Sequence, residues 1–116
     1  MKTYTGGCQC GAVRFEAMVD ISKGMSCNCS RCGKLGWILT FIPASQFKLI
    51  SGADNLTEYL FNTQKIHHQF CKTCGIESFA LGVGRDGSET AAFNIRCLDG
   101  VDLKETVVTE YNGKDI

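Results

Sequence analysis

The sequence has no excess charge of either sign, no long apolar run and no sustained helical period. With 12 basic and 12 acidic residues and no block of like charge, it lacks the positive surplus that holds nucleic acid or anionic membrane non-specifically, so neither partner is expected. No apolar stretch approaches the ~20 residues that a membrane helix requires. The opening MKTYTGGCQC also lacks the uninterrupted apolar core of a signal peptide, so the expectation is a cytoplasmic protein. Linker-like composition, internal repeats and low-complexity tracts are missing as well. A length of 116 residues, 44% of them hydrophobic, then suggests that residues 1–116 form one compact domain with a small core.

What the chain does have is cysteine, eight of them. In a reducing compartment structural disulfides are rare and clustered thiols more often bind metal; only secretion would restore a disulfide framework. The cysteines fall into C-x-C (Cys8, Cys10), C-x-C-x-x-C (Cys27, Cys29, Cys32), C-x-x-C (Cys71, Cys74) and a lone Cys97.

Around them the hydrophobic pattern alternates. In AVRFEAMV, Val13, Phe15, Ala17 and Val19 share one side while Arg14, Glu16 and Met18 share the other, the period-two mark of a half-buried strand. WILTFI (37–42, ended by Pro43), NLTEYLFN (55–62), IHHQF (66–70) and TAAFNIRCL (90–98) also read as strands, with a turn over Asn62 to Lys65. The glycines, Gly6 and Gly7 among them, punctuate these runs as turns. One helical turn is expected over ASQF after Pro43, and GVGRDGSE (82–89) reads as a hairpin turn without a phosphate-binding pattern. The fold class is therefore mainly β, with little helix.

Spacing assigns the thiols. Cys71-Lys-Thr-Cys74-Gly75 has the form of a zinc knuckle and supplies half a tetrahedron. Cys8 and Cys10, followed by Gly11, are its natural partner pair, and a metal clip across so long a loop removes much chain entropy. A thioredoxin-like redox pair would need the C-x-x-C to open a helix in a βαβ unit, which the pattern does not offer.

Cys27, Cys29 and Cys32 remain, one ligand short of a closed site. Cys97 would close it, but its alternation places it with Ala91, Phe93 and Ile95 on the apolar side, where a lone cysteine is a buried small hydrophobe. If Cys97 stays out, the second ion keeps an open position, the arrangement of catalytic rather than structural zinc. Three thiolates favour a soft fourth ligand such as a thiol, bound as thiolate well below the ~8.5 of a free cysteine and able to attack an electrophile.

The segments GGCQCGAVRF, SCNCSRCGKLG, FKLISGADNLTEYLFNT, FCKTCGIESF and FNIRCLDG together resemble the glutathione-dependent formaldehyde-activating enzyme family, which also includes centromere protein V. The resemblance runs from Gly7 to about Gly100 and includes all seven clustered cysteines. It implies a β-tent of Mss4-like type, built of antiparallel sheets stapled by zinc. Two zinc ions per chain are implied: a structural one on Cys8, Cys10, Cys71 and Cys74, and a second, with an open position, on Cys27, Cys29 and Cys32. The implied activity, classed with carbon–sulfur lyases, joins glutathione to formaldehyde as S-hydroxymethylglutathione. A small-molecule thiol and a small aldehyde are then the partners, and nothing in the sequence excludes a homodimer. The chain departs from many members at Asn28, where they carry histidine, and at Gly33, where they carry a basic residue.

For the substrate, Arg96 and Asn94 share the polar side of their strand and could meet a glutathione carboxylate, since arginine binds carboxylates bidentately. Lys34 and Arg31, at the open cluster, could balance its negative charge. His67 and His68 are neighbours on a strand and face opposite ways, which suits surface or packing roles better than joint ligation. Against the enzyme stand two other readings, a non-catalytic zinc or thiol-binding module and a thiol redox sensor.

Overall fold

The computed structural model describes residues 1–61, 66–84 and 86–112. It is mainly β, with ten strands in two sheets among the described residues. The smaller sheet has the order β1 (Lys2–Gly7), β2 (Arg14–Val19), β5 (Phe47–Ser51). The larger has seven strands in the order β10 (Val107–Tyr111), β3 (Lys23–Cys27), β4 (Leu39–Pro43), β9 (Glu89–Asn94), β8 (Glu77–Val83), β7 (Ile66–Cys71), β6 (Leu56–Phe61). Pairing is antiparallel except that β10 runs parallel to β3 at one edge. Among the described residues no helix is long and apolar enough to cross a membrane.

The alternation in β2 faces the main core as its pattern requires: Val13, Phe15, Ala17 and Val19 are buried while Met18 is exposed. Phe15 is the hub, wholly buried, with the rings of Phe47 and Phe93 at 5.3 and 5.7 Å. In β9 the two-sided pattern fails, because Ala91, Ala92 and Phe93 are all buried. The centre of the large sheet is covered on both faces: Phe93 joins the main core, while Ala92 packs with Trp37, Leu39 and Ala80 in a second cluster that Cys32 and Leu35 abut.

Three local expectations change. The run TAAFNIRCL is not a strand throughout; β9 stops at Asn94 and Ile95–Cys97 form a 3-10 turn. The Asn94 side chain causes the break, its Oδ1 accepting the N–H of Arg96 (3.1 Å) and of Ile38 (3.3 Å). Gly6 and Gly7 lie in β1 rather than in a turn: a Cβ on Gly6 would stand 2.5 Å from the Cys97 carbonyl oxygen, and one on Gly7 2.2 Å from that of Val13. These glycines permit backbones to cross.

The third change is a helix, α1, over Ser30–Leu35. Cys29 caps its start by accepting the Cys32 N–H on sulfur (3.3 Å), and Gly36, at φ 72°, ends it in the left-handed conformation. The expected turn after Pro43 is present as a 3-10 turn at Ala44–Gln46. The hairpin between β8 and β9 is closed by the Gly84 N–H bonded to the Ser88 carbonyl (2.8 Å). The turn expected at 62–65 lies outside the described residues.

Because Phe15 has no exposed surface and touches rings from both sheets, its truncation leaves a cavity that the sheets cannot close. Phe15→Ala is expected to lower stability by about 3–5 kcal/mol, measured by urea denaturation with metal at saturation. A loss under about 1 kcal/mol would show that the site collapses without it.

Candidate metal centre

Cys8 and Cys10 sit in the turn that leaves β1; Cys71 ends β7, and Cys74 lies in the turn to β8. That turn is closed by the Gly75 N–H on the Cys71 carbonyl (2.8 Å), with Gly75 at φ 77°. The four Sγ atoms lie within 4.8 Å of one another, and Cys10 is 3.6 Å from both Cys8 and Cys71. Four sulfurs at ~2.3 Å from a tetrahedral ion stand about 3.8 Å apart, so the set can hold one metal ion with little movement. Nearby N–H groups point at these sulfurs: Val13 donates to Cys8 Sγ (3.3 Å), and Thr73 and the Asn55 amide donate to Cys71 Sγ (3.4 and 3.3 Å).

The second cluster is built on the other side of the large sheet. Cys27 ends β3, Cys29 caps α1 and Cys32 lies within it, their three Sγ atoms again within 4.8 Å. The Cys29 N–H points at Cys27 Sγ (3.5 Å). Among the described residues no fourth cysteine, histidine or carboxylate joins this set. Cys97 in particular stands elsewhere. It packs against the main core, where Cys8 and Cys74 add to the burial that pushes its thiol up, and so neighbours the four-cysteine cluster without being one of its members.

Without an ion the crowded thiols split in their acidities. In the first cluster the N–H of Cys74, with that of Thr73, brings Cys71 down to about 6. Cys10 receives the Ala12 N–H, but lost solvent and the thiols of Cys8, Cys71 and Cys74 outweigh it and push Cys10 up to about 11. In the second cluster burial drives Cys32 up to about 12, assisted by Cys29 and Cys27 and opposed by the side chain of Trp37. Burial also acts on Cys29, yet the Cys32 and Arg31 N–H groups hold it below the ordinary thiol range.

The face of α1 beside Cys32 carries further polar groups. Ser30, Arg31, Lys34 and Leu35, with Tyr59 of β6, line a cleft of about 370 Å³. Arg31 lies over the Tyr59 ring, 4.8 Å from its centre, and donates to Glu77 Oε1 at 2.5 Å. Glu77 Oε2 is 2.7 Å from Nδ1 of the buried His68. His67 points the other way, to Glu58 (2.6 Å), so the two histidines do face opposite sides. Lys34 thus lines the cleft, whereas Asn94 and Arg96 do not: the Asn94 oxygen is engaged with backbone, and Arg96 is exposed in the 3-10 turn. Sequence reasoning missed Glu77 and Tyr59, which no spacing connects to α1. The available signal was polar residues inside apolar runs, Glu77 between Ile76 and Phe79 above all.

These features define a cysteine-rich β protein with two sulfur sites, each able to hold a metal ion. Over residues 3–111 the sequence matches the family model "Glutathione-dependent formaldehyde-activating enzyme", and the chain belongs to that family. It is also similar to a crystal structure of a Rhodobacter sphaeroides protein, a structural-genomics target, with 33% identity, a TM-score of 0.77, and coverage of 90% of this chain and 99% of that one.

A thiol must lose its proton to become a ligand. Cys10 near 11 and Cys32 near 12 are protonated at neutral pH, whereas Cys71 near 6 is already largely thiolate. Binding of a thiophilic divalent ion at pH 7 is therefore expected to release at least one proton per cluster, with affinity rising as pH rises through the neutral range. Indicator dye in weakly buffered solution measures this; ion uptake without acidification would contradict the acidities above.

Proposed function

We propose that this protein is a zinc-dependent carbon–sulfur lyase-type enzyme that adds a glutathione-like thiol to a small aldehyde such as formaldehyde. The observation that carries the reading is the unequal ligand count: four converging sulfurs at one cluster and three at the other, with Cys97 turned away from the second. An all-sulfur donor set suits zinc. Cys8, Cys10, Cys71 and Cys74 would hold a structural ion, and Cys27, Cys29 and Cys32 a second ion open to one more ligand. When bound there, zinc supplies an electrophilic place for sulfur that favours thiolate over thiol.

The chain's own residues set the rest. Cys29 and Cys32 are fixed by the cap and first turn of α1, and Trp37 and Leu39 close the apolar side of Cys32. In the reaction the thiol gives up its proton and its sulfur forms a bond to the carbonyl carbon. The π pair moves to the carbonyl oxygen, which takes a proton, giving the S-hydroxymethyl adduct with no change in oxidation state overall and no electron cofactor. The family name supports glutathione and formaldehyde as the pair.

Metal analysis is expected to find about two zinc per chain, both retained in Cys97→Ser and one lost in Cys32→Ser. Exchange NMR of a glutathione and formaldehyde mixture should show faster interconversion of free and hydroxymethylated thiol with protein present, and no acceleration with Cys32→Ser. An exchange rate that the zinc-loaded protein leaves unaltered would reduce it to a zinc and thiol-binding module.

A further inference from the structure

The cleft beside α1 has a charge arrangement that metal binding alone does not require. Arg31 is clamped from two directions, by the Tyr59 ring at 4.8 Å and by Glu77 at 2.5 Å. Behind it the support is dry: the Glu77 side chain has no exposed surface, and its second oxygen is engaged by His68 Nδ1 at 2.7 Å. The guanidinium nevertheless retains donor capacity. Glu77 engages Nη2, and the Arg31 side chain is 24% exposed and lines the cleft. Lys34 follows three residues on, exposed, and lines the same cleft. Glu77 is shared between Arg31 and His68, so Lys34 stands as a cation beyond the one that Glu77 balances.

We propose that this cleft is a carboxylate subsite, in which Arg31 and Lys34 hold the carboxylate of a thiol whose sulfur goes to the open place of the Cys27, Cys29, Cys32 cluster. Glu77 and His68 are positioning residues, acting through Arg31. The inference deepens the thiol-binding reading above and rests on it. Arg31 directly precedes Cys32, and Lys34 follows it by two residues, so the cleft-lining cations and a sulfur of the cluster lie within one turn of the same six-residue helix. An arginine fixed by a buried carboxylate presents its remaining donors in one orientation, which favours the planar carboxylate over other small groups. The substrate class is a thiol bearing a carboxylate within a few bonds of sulfur.

The test compares three thiols with the same two-carbon spacer, namely mercaptopropionate, mercaptoethanol and cysteamine. Each is titrated calorimetrically into the zinc-loaded protein. Mercaptopropionate is expected to bind about tenfold more tightly than mercaptoethanol, as a charge-assisted pair allows, and cysteamine most weakly. Lys34→Met and Arg31→Lys should each lower that preference while leaving mercaptoethanol affinity in place. Glu77→Gln, if it retains both ions, should do the same, since loss of positioning affects the carboxylate and not the sulfur. A general structural defect would weaken all three thiols alike. Should Glu77→Gln not fold, Lys34→Met, a change at an exposed residue, decides the matter. Equal binding of mercaptopropionate and mercaptoethanol, or a preference that survives Lys34→Met and Arg31→Lys, overturns the subsite but not the thiol centre. Failure of every thiol to bind overturns both.

Discussion

The convergence of Cys8 and Cys10 with Cys71 and Cys74 is the constraint on which the rest of this structure depends. The Cys10 and Cys71 sulfurs are 3.6 Å apart although 61 residues separate them. Bringing such distant turns together costs chain entropy that grows only slowly with loop length, so a single ion can offset a closure that shorter contacts do not need. It also joins the two sheets. Cys8 and Cys10 follow β1 of the small sheet, and Cys71 ends β7 of the large one, with Phe15 filling the space between. The aromatic core and the sulfur site therefore stabilise the same sheet-to-sheet contact from different places.

The second cluster uses the opposite face of the large sheet, and the burial pattern of β9 shows how. Ala92 is buried there by Trp37 and Leu39, which in turn seat Cys32 and Leu35 of α1. The chain has one tryptophan, and it is spent covering this side of the cluster. Small residues at Ala80 and Ala92 provide a flat floor, so a helix of less than two turns can rest on the sheet without a large apolar stripe of its own.

Much of this was legible from residue spacing. The period-two run at Val13, Phe15, Ala17 and Val19 located the core face, and the C-x-C and C-x-x-C pairs located the first sulfur set. Other features were not, for definite physical reasons. α1 spans six residues, too few to display a helical period, and a cysteine sulfur takes the place of the usual oxygen at its cap. Cys97 does pack against the core with Ala91, Phe93 and Ile95, as the alternation suggested, but the strand does not reach it, because Asn94 captures two backbone N–H groups and turns the chain. Arg96 and Asn94 then fall away from the cleft for the same reason. Gly6 and Gly7 resembled turn glycines, although what they accommodate is close backbone: that of Cys97, distant in sequence, at Gly6, and that of Val13 on the returning chain at Gly7.

The Arg31, Glu77, His68 arrangement shows why such contacts bear on function more than on stability. Removing a carboxylate from water is costly, and a buried ion pair returns that cost only with good geometry, so apolar replacements of similar volume are often as stable or more so. Glu77 sits at the start of β8 among Ser78, Phe79 and Ala80, all buried, where an apolar side chain would satisfy the packing equally well. What an apolar residue cannot do is fix a guanidinium. With Tyr59 on its face and Glu77 on its edge, Arg31 is held against the sheet, and the free rotation that makes long side chains poor at recognition is largely removed before any ligand arrives. The buried charge thus contributes orientation to the residue next to Cys32, which is what the proposed carboxylate subsite would require.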